Sequence, residues 1–225
     1  MTQLFMDALS PTTFDALRSR CTHHSYPANA WVLMLGHDST SVLFVESGLL
    51  RIERPTTNGR TVLLELTGAG STIGELGVIT GEGRSANVIT AEPSTVLSLR
   101  TADFLAMLDE FPDFNRYVLT SLSDRIVALT SQLIEASERS ATGRVAARLI
   151  ELLDRSDVRH DTTPTLALPI SQAELGQWAG LSREGTAKAL RELRDTGVVE
   201  TGRMRMTILN PVELRELARS AGSIR

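Results

Sequence analysis

Two groups of residues in this chain have the types and spacing to do chemistry. The first is Gly74-Glu75-Leu76-Gly77 together with Arg84-Ser85-Ala86, ten residues after Gly74. Gly74 lacks a Cβ and lets backbone approach a ligand closely. A short helix starting at Glu75 aims free backbone N–H groups at an anion. Arg84 supplies a planar fork of donors suited to a phosphate, and Ser85 supplies a hydroxyl. Glu75 only accepts and is repelled by phosphate, so its partner is a hydroxyl such as a ribose 2′-OH. Phosphate and ribose hydroxyl together mean a nucleotide. Gly-Glu-Leu-Gly alone reads as a glycine-rich turn, and Arg84-Ser85-Ala86 is what makes the pair specific.

The second group lies between Ile170 and Asp195 and reads as two helices joined by a tight turn. Ser171 caps the first helix and Glu174 reaches back, a capping box. Gly180 supplies left-handed backbone for the turn, Ser182 caps the second helix, and Gly197 ends it. On a helical wheel Thr186, Ala189, Leu190 and Leu193 share one side, while Glu184, Lys188 and Arg191 share the other. Arg183 sits in the first turn. This pattern suits a recognition helix in a DNA major groove: Arg183 can bond guanine O6 and N7, and Glu184 can accept from cytosine N4. Val198 to Leu209 reads as two short strands about a Gly-Arg turn, which makes the hairpin a winged one.

Other chemistries find little support. The chain has one cysteine, Cys21, which excludes an internal disulfide and a cysteine-only metal site and favours a reducing compartment. Its four histidines, His23, His24, His37 and His160, show no metal-ligand spacing, and no haem is expected. Neither a Gly-x-Ser-x-Gly elbow nor a phosphate-binding Walker loop occurs, so an enzyme is not expected. The net charge of −4 divides unevenly: residues 1–140 hold 10 basic and 16 acidic side chains, and residues 141–225 hold 13 and 11. The last part is the more basic one, as phosphate binding requires. No leader and no run of about 18 apolar residues is evident, so a soluble cytoplasmic protein without membrane contact is expected.

The elements that position these groups follow from periodicity. A helix is expected from Leu4 to Arg20, interrupted at Ser10-Pro11. Thr22 to Arg100 carries short apolar runs at 31–35, 42–45, 49–52, 61–66, 86–89 and 95–99, separated by turn residues. Such spacing predicts an antiparallel sandwich or barrel, with Asn58-Gly59 as its clearest hairpin turn. A short helix at 102–108 precedes a long one from Asp113 to about Arg139. On the long helix Leu122, Ile126, Leu129, Leu133 and Ala136 recur at spacings of 4, 3, 4 and 3, a coiled-coil seam. That seam predicts a homodimer, with two recognition helices about 34 Å apart on a near-palindromic operator. Gly143 to Leu153 is amphipathic, Ser156 to Thr165 reads as an exposed loop, and Pro211 to Ile224 as a helix packed on the hairpin or the sandwich.

On these motifs, with Thr142-Gly143-Arg144-Val145-Ala146 and Leu181-Ser182-Arg183-Glu184, the chain resembles the cyclic-AMP receptor protein/fumarate-nitrate reduction regulator (Crp/Fnr) family of bacterial transcription factors from about residue 20 to 210. The resemblance implies an α+β fold: an N-terminal cyclic-nucleotide-binding-type β-sandwich (jelly roll) over 1–111, a long dimerisation helix over 112–139, and a C-terminal winged helix-turn-helix over 140–225. It implies that Gly74, Glu75, Leu76, Gly77, Arg84, Ser85 and Ala86 form a phosphate-binding cassette, with Arg84 and Ser85 on the cyclic phosphate and Glu75 on the ribose hydroxyl. It also implies that Arg183, Glu184 and Lys188 face a half-site related to TGTGA, with Ser171, Gln172 and Ser182 near phosphates, and that in relatives the loop after residue 155 touches RNA polymerase. Family members that bind cyclic AMP carry Arg, then Thr-Ser four and five residues later. Here Arg125 is followed by Leu129, then Thr130 and Ser131, and the stretch from Gly77 to Arg84 is one residue short. Thr130 or Ser131 is the substitute on offer for the base. No cofactor is required; the effector is cyclic AMP, another cyclic nucleotide, or none. The alternatives are an effector-independent regulator of this family and a cyclic-nucleotide-binding module acting on a protein partner.

Overall fold

The structure is a computed structural model describing residues 8–57, 59, 61–155, 165–167, 170–202 and 205–219. The expected helix start at Leu4 and Phe5, Asn58, the polar 156–164 stretch with His160, the Arg203 of the wing turn and the end of the last helix lie outside the described residues.

The chain forms two compact units, residues 1–128 and 129–225. In the first, helix α1 (Pro11–Arg20) precedes eight strands: β1 (Thr22–Tyr26), β2 (Trp31–Leu33), β3 (Ser41–Ser47), β4 (Leu49–Pro55), β5 (Thr61–Gly68), β6 (Thr72–Ile73), β7 (Asn87–Thr90) and β8 (Ser94–Arg100). Helix α2 (Glu75–Thr80) follows β6, and α3 (Thr101–Glu110) leads into the long α4 (Pro112–Glu138). The strands make two four-stranded antiparallel sheets, ordered β1-β8-β3-β6 and β2-β7-β4-β5. The strands flanking Asn58-Gly59 pair antiparallel, from Leu49 opposite Gly68 to Pro55 opposite Thr61.

Alternation along β3 explains the layering, because successive side chains of a strand face opposite ways. Val42 and Phe44 join one cluster with Leu17, Phe104, Met107, Phe114, Tyr117 and Val118, where helices cover the sheet. Leu43 and Val45 join the other with Leu50, Ile52, Ile73, Val88 and Val96, between the sheets. The start of α4 is therefore part of the sandwich core. Phe114 stacks edge-on against Phe104 at 5.7 Å and lies 6.0 Å from Phe44. The Tyr117 hydroxyl donates to the Gly70 carbonyl at 3.1 Å and shares a 2.8 Å bond with the Thr72 hydroxyl.

The second unit holds the end of α4, then α5 (Ala141–Arg155), β9 (Thr165–Ala167), α6 (Gln172–Trp178), α7 (Arg183–Asp195), β10 (Val199–Gly202), β11 (Arg205–Ile208) and α8 (Pro211–Arg219). The last three strands pair in the order β10-β11-β9. Helix α8 packs on α5, a partner the sequence reading, which named the hairpin or the sandwich, did not include: an added Cβ at Gly143 would sit 3.0 Å from the Leu217 carbonyl. Arg215 also reaches Asp154 at 3.2 Å.

Ser10 caps α1 as expected, its side chain accepting from Thr13 N. The junction is then held from α4. Asp113 accepts from Ser10 N at 2.8 Å, from the Thr13 hydroxyl at 2.8 Å and from Phe114 N at 3.1 Å. Partial burial works against the Asp113 carboxylate, but these hydrogen bonds outweigh it and hold its pKa at about 2, below the ordinary 3.8. A depressed carboxylate stabilises the fold above its ordinary pKa, and that contribution disappears as pH falls toward the folded value. Asp113→Ala is expected to lower stability by about 1–2 kcal/mol in urea unfolding at pH 7. Asp113→Asn should also flatten the acid loss between pH 4 and 2; an unchanged acid limb would remove Asp113 from the account.

Candidate effector and DNA-binding sites

The Gly74 cassette folds as a tight cage of its own residues. Gly74 has φ 87° and caps α2 from the left-handed region. The sequence offered this glycine as a place for close ligand approach. In the structure its nearest neighbour is a side chain: a Cβ there would collide with Arg84 Nη1. Arg84 donates to the Gly74 carbonyl at 3.1 Å and to Ser41 Oγ at 3.4 Å, and is only 5% exposed. A Cβ on Gly77 would strike Ser39 Oγ. The 36–37 turn straps the cassette down, Gly36 N donating to Arg84 O and Arg84 N to His37 O, both at 2.8 Å. Ser85 and Leu76 are exposed, and Ala86 is half-buried.

Glu75 is 3% exposed. Its Oε1 accepts from Arg125 Nη1 at 2.8 Å. Its Oε2 is buried and, among the described residues, has no hydrogen-bond partner. Burial pushes the Glu75 carboxyl above its usual range, and Arg125 offsets this only in part. Burial opposes charge on both arginines: it prevails at Arg84, whereas Glu65 and Glu75 hold Arg125 above its ordinary value. Sequence reasoning missed Glu65, whose Oε2 accepts from Arg125 Nε at 3.0 Å. Its signal was a lone carboxylate within the apolar run Leu63-Leu64-Glu65-Leu66. The site thus combines an anion-binding guanidinium with an orphan buried acceptor, which fits a ligand presenting a phosphate and a hydroxyl. Thr130 is exposed on α4 and falls in the second unit.

Of the long-helix seam, Ile126 is 64%, Leu129 48% and Leu133 74% exposed. Leu122 instead is half-buried against the sandwich core, because the helix is still seated there. Leu119, one step earlier in the same 3-4 spacing, is 60% exposed.

In the second unit the hairpin follows its sequence signals. Ser171 Oγ accepts from Glu174 N at 3.2 Å, and Ser171 N donates to Glu174 Oε2 at 2.7 Å. Helix α6 ends with Gly180 at φ 67°, Gly180 N bonding Gln177 O and Leu181 N bonding Gly176 O. This pair satisfies two terminal carbonyls at once. The same arrangement ends α7 at Gly197. Ser182 Oγ accepts from Gly185 N at 3.1 Å. Thr186, Ala189, Leu190 and Leu193 are buried, while Arg183, Glu184 and Lys188 stand exposed on the opposite side, with Gln172 exposed on α6. The helices cross where Gly176 faces the Thr186 side chain with no room for a Cβ. Arg194 reaches Thr201 at 3.4 Å, tying α7 to the wing. Buried Arg148 braces the unit from below, bonding Glu135 at 2.6 Å and Glu151 at 2.8 Å and stacking 5.2 Å from the centre of Trp178.

A sandwich with a buried Arg–Glu cassette and a separate winged helix-turn-helix define a DNA-binding regulator with a ligand-type sensor domain. Comparison with known proteins agrees. The cyclic nucleotide-binding domain model matches residues 23–111, and the Crp-like helix-turn-helix domain model matches 143–217. The cyclic AMP receptor protein of Thermus thermophilus is 28% identical over 210 residues, 93% of this chain and 94% of the relative. The cAMP-activated global transcriptional regulator CRP of Haemophilus influenzae is 25% identical over 187 residues, 82% and 83% of the two chains. The structure of FixK2 from Bradyrhizobium japonicum superposes with a TM-score of 0.76 at 19% identity, covering 90% of this chain and 99% of that one, a likeness of fold. This chain belongs to the cyclic-AMP receptor protein/fumarate-nitrate reduction regulator family. It is a DNA-binding transcriptional regulator and not an enzyme. Among the described residues no helix is long and apolar enough to cross a membrane.

Gly176→Ala is expected to destabilise the second unit by about 1–3 kcal/mol through overpacking and to weaken the DNA shift. Adding Thr186→Ala should restore part of both in thermal unfolding and gel shift; no restoration would place the strain elsewhere.

Proposed function

We propose that this chain is a homodimeric regulator whose sandwich takes a cyclic nucleotide, cyclic AMP or another, and whose long helices carry that event to paired winged helices on a near-palindromic operator. The observation that carries this reading is Glu75, with Oε1 held by Arg125 of α4 and buried Oε2 left without a partner among the described residues. In this reading the orphan oxygen takes the ribose hydroxyl, and Arg84 leaves the Gly74 carbonyl to take the phosphate with Ser85. Gly74, Leu76, Gly77 and Ala86 shape the cassette, and Thr130 follows Arg125 by five residues on α4. The names of relatives described as cAMP-activated support the effector class.

On DNA, Arg183, Glu184 and Lys188 read a TGTGA-like half-site. The Ser171 and Ser182 hydroxyls accept backbone N–H bonds as caps and keep a proton to donate to phosphate oxygens, beside Gln172. Leu119, Ile126, Leu129 and Leu133 form the seam between protomers, continued inward by Leu122. Nucleotide binding shifts the population between registers of the paired helices and so the placement of the reading heads. RNA polymerase is the further partner implied for a member of this family that activates transcription.

Calorimetric titration with cyclic AMP and cyclic GMP, beside a gel shift on a TGTGA palindrome, tests the whole. Arg84→Ala should abolish nucleotide heat and nucleotide response while keeping the circular dichroism of the fold. Arg183→Ala should cost about 1–3 kcal/mol at one base position; uniform loss on all sequences would reassign it to phosphate. Tight operator binding with no nucleotide heat would favour the effector-independent alternative. Separately, Leu129→Asp with Leu133→Asp should convert a sedimenting dimer to a folded monomer with sharply reduced operator affinity; an unchanged dimer would reject the seam.

A further inference from the structure

Glu65 has no part in the cassette, yet it shares a guanidinium with it. Arg125 holds Glu75 Oε1 at 2.8 Å through Nη1 and Glu65 Oε2 at 3.0 Å through Nε, so one planar group sets two carboxylates side by side. The rest of this inference rests on the cyclic-nucleotide reading. In a 3′,5′-cyclic nucleotide the phosphate closes across C3′ and C5′. The carbon bearing the free 2′-hydroxyl is bonded directly to C1′, which bears the base. A ligand with its phosphate on Arg84 and its 2′-hydroxyl on Glu75 Oε2 therefore carries its base away from Arg84. Among the described residues, a chain of ion pairs runs on from Glu75 to Arg125 and through it to Glu65.

The geometry points to Glu65 as the residue that reads the base, and to guanine as the base it selects. On its Watson–Crick edge guanine presents N1–H and N2–H side by side, two parallel donors that match the two oxygens of one carboxylate. Adenine presents one N6–H donor beside the N1 lone pair, which would face the second oxygen. A carboxylate accepts and cannot donate, so it rewards the first pattern and repels the second. Glu65 is available for this exchange. Its side chain is 34% exposed, against 4% for Glu75, so its bridge to Arg125 is the weaker of the two. Guanine takes both Glu65 oxygens, Arg125 releases Nε, and Nη1 stays on Glu75.

The test is calorimetric titration of the full chain with cyclic GMP, cyclic IMP and cyclic AMP, in wild type and in Glu65→Gln. Cyclic GMP should bind at least about tenfold tighter than cyclic AMP. Cyclic IMP, which lacks the 2-amino group, should fall between them. Glu65→Gln has an amide that can accept from N6–H and donate to N1, and should reverse the order. Cyclic AMP equal to or tighter than cyclic GMP in wild type, or a ratio unmoved by Glu65→Gln, overturns the base assignment and leaves the nucleotide site standing. No heat with any of the three, from chain that still shifts operator DNA, overturns the nucleotide reading and this inference with it.

Discussion

Burial of the Glu75 carboxylate is the constraint that joins the sensor cassette to the long helix. An ionised carboxylate away from water needs a charge partner and hydrogen bonds. The cassette contains Arg84, but Arg84 is turned to the Gly74 carbonyl and Ser41. Compensation for Glu75 comes chiefly from Arg125, well along α4, with a smaller share from Arg84. The helix is in turn fixed to the sandwich by Phe114, Tyr117, Val118 and Leu122. Its first half is therefore core and charge partner at once. Its second half, from Ile126 on, exposes a leucine row that a globular surface would not keep for its own sake.

The reading head follows a different logic. Its helices are set by backbone chemistry more than by charge. Each begins at a serine cap and ends at a left-handed glycine, and the crossing is fixed by the missing Cβ of Gly176. Arg183, Glu184 and Lys188 stand exposed on the side opposite the buried stripe, with Lys188 4.0 Å from Glu192 at the surface. Exposed side chains on a scaffold fixed by caps and glycines can be chosen for base reading.

Much of this was legible in the sequence because it is local. Caps, glycine stops and apolar periodicity act over four residues or fewer, and they placed α1, α6, α7 and most strands correctly. Three strands escaped, among them the short β9 (Thr165–Ala167), which begins at the residue where the expected loop ended. Thr22-His23-His24-Ser25-Tyr26 has no apolar alternation because β1 is an exposed edge strand, recruited by pairing with β8. Strand β6 is two residues long. The Arg125–Glu65 pair escaped for another reason: its partners lie 60 positions apart, and no spacing rule links them. Leu122 shows the limit of heptad arithmetic, which gives the side a residue faces but not which surface waits there.

The two bridges to Arg125 differ enough in strength to say which can act as a switch. The Glu65 bridge is a partly exposed pair, worth at most about 1 kcal/mol, which shifts an equilibrium by about fivefold. Loss of a partner from a buried pair costs about 3–5 kcal/mol, enough for a shift of several hundredfold or more. Moving a two-state equilibrium decisively takes about 5.5 kcal/mol in all. Exchange at Glu65 can therefore set preference among ligands but cannot by itself throw a switch. Any strong coupling between ligand and long helix must pass through Glu75, because only there does filling the orphan oxygen alter the balance of a charge that water cannot reach.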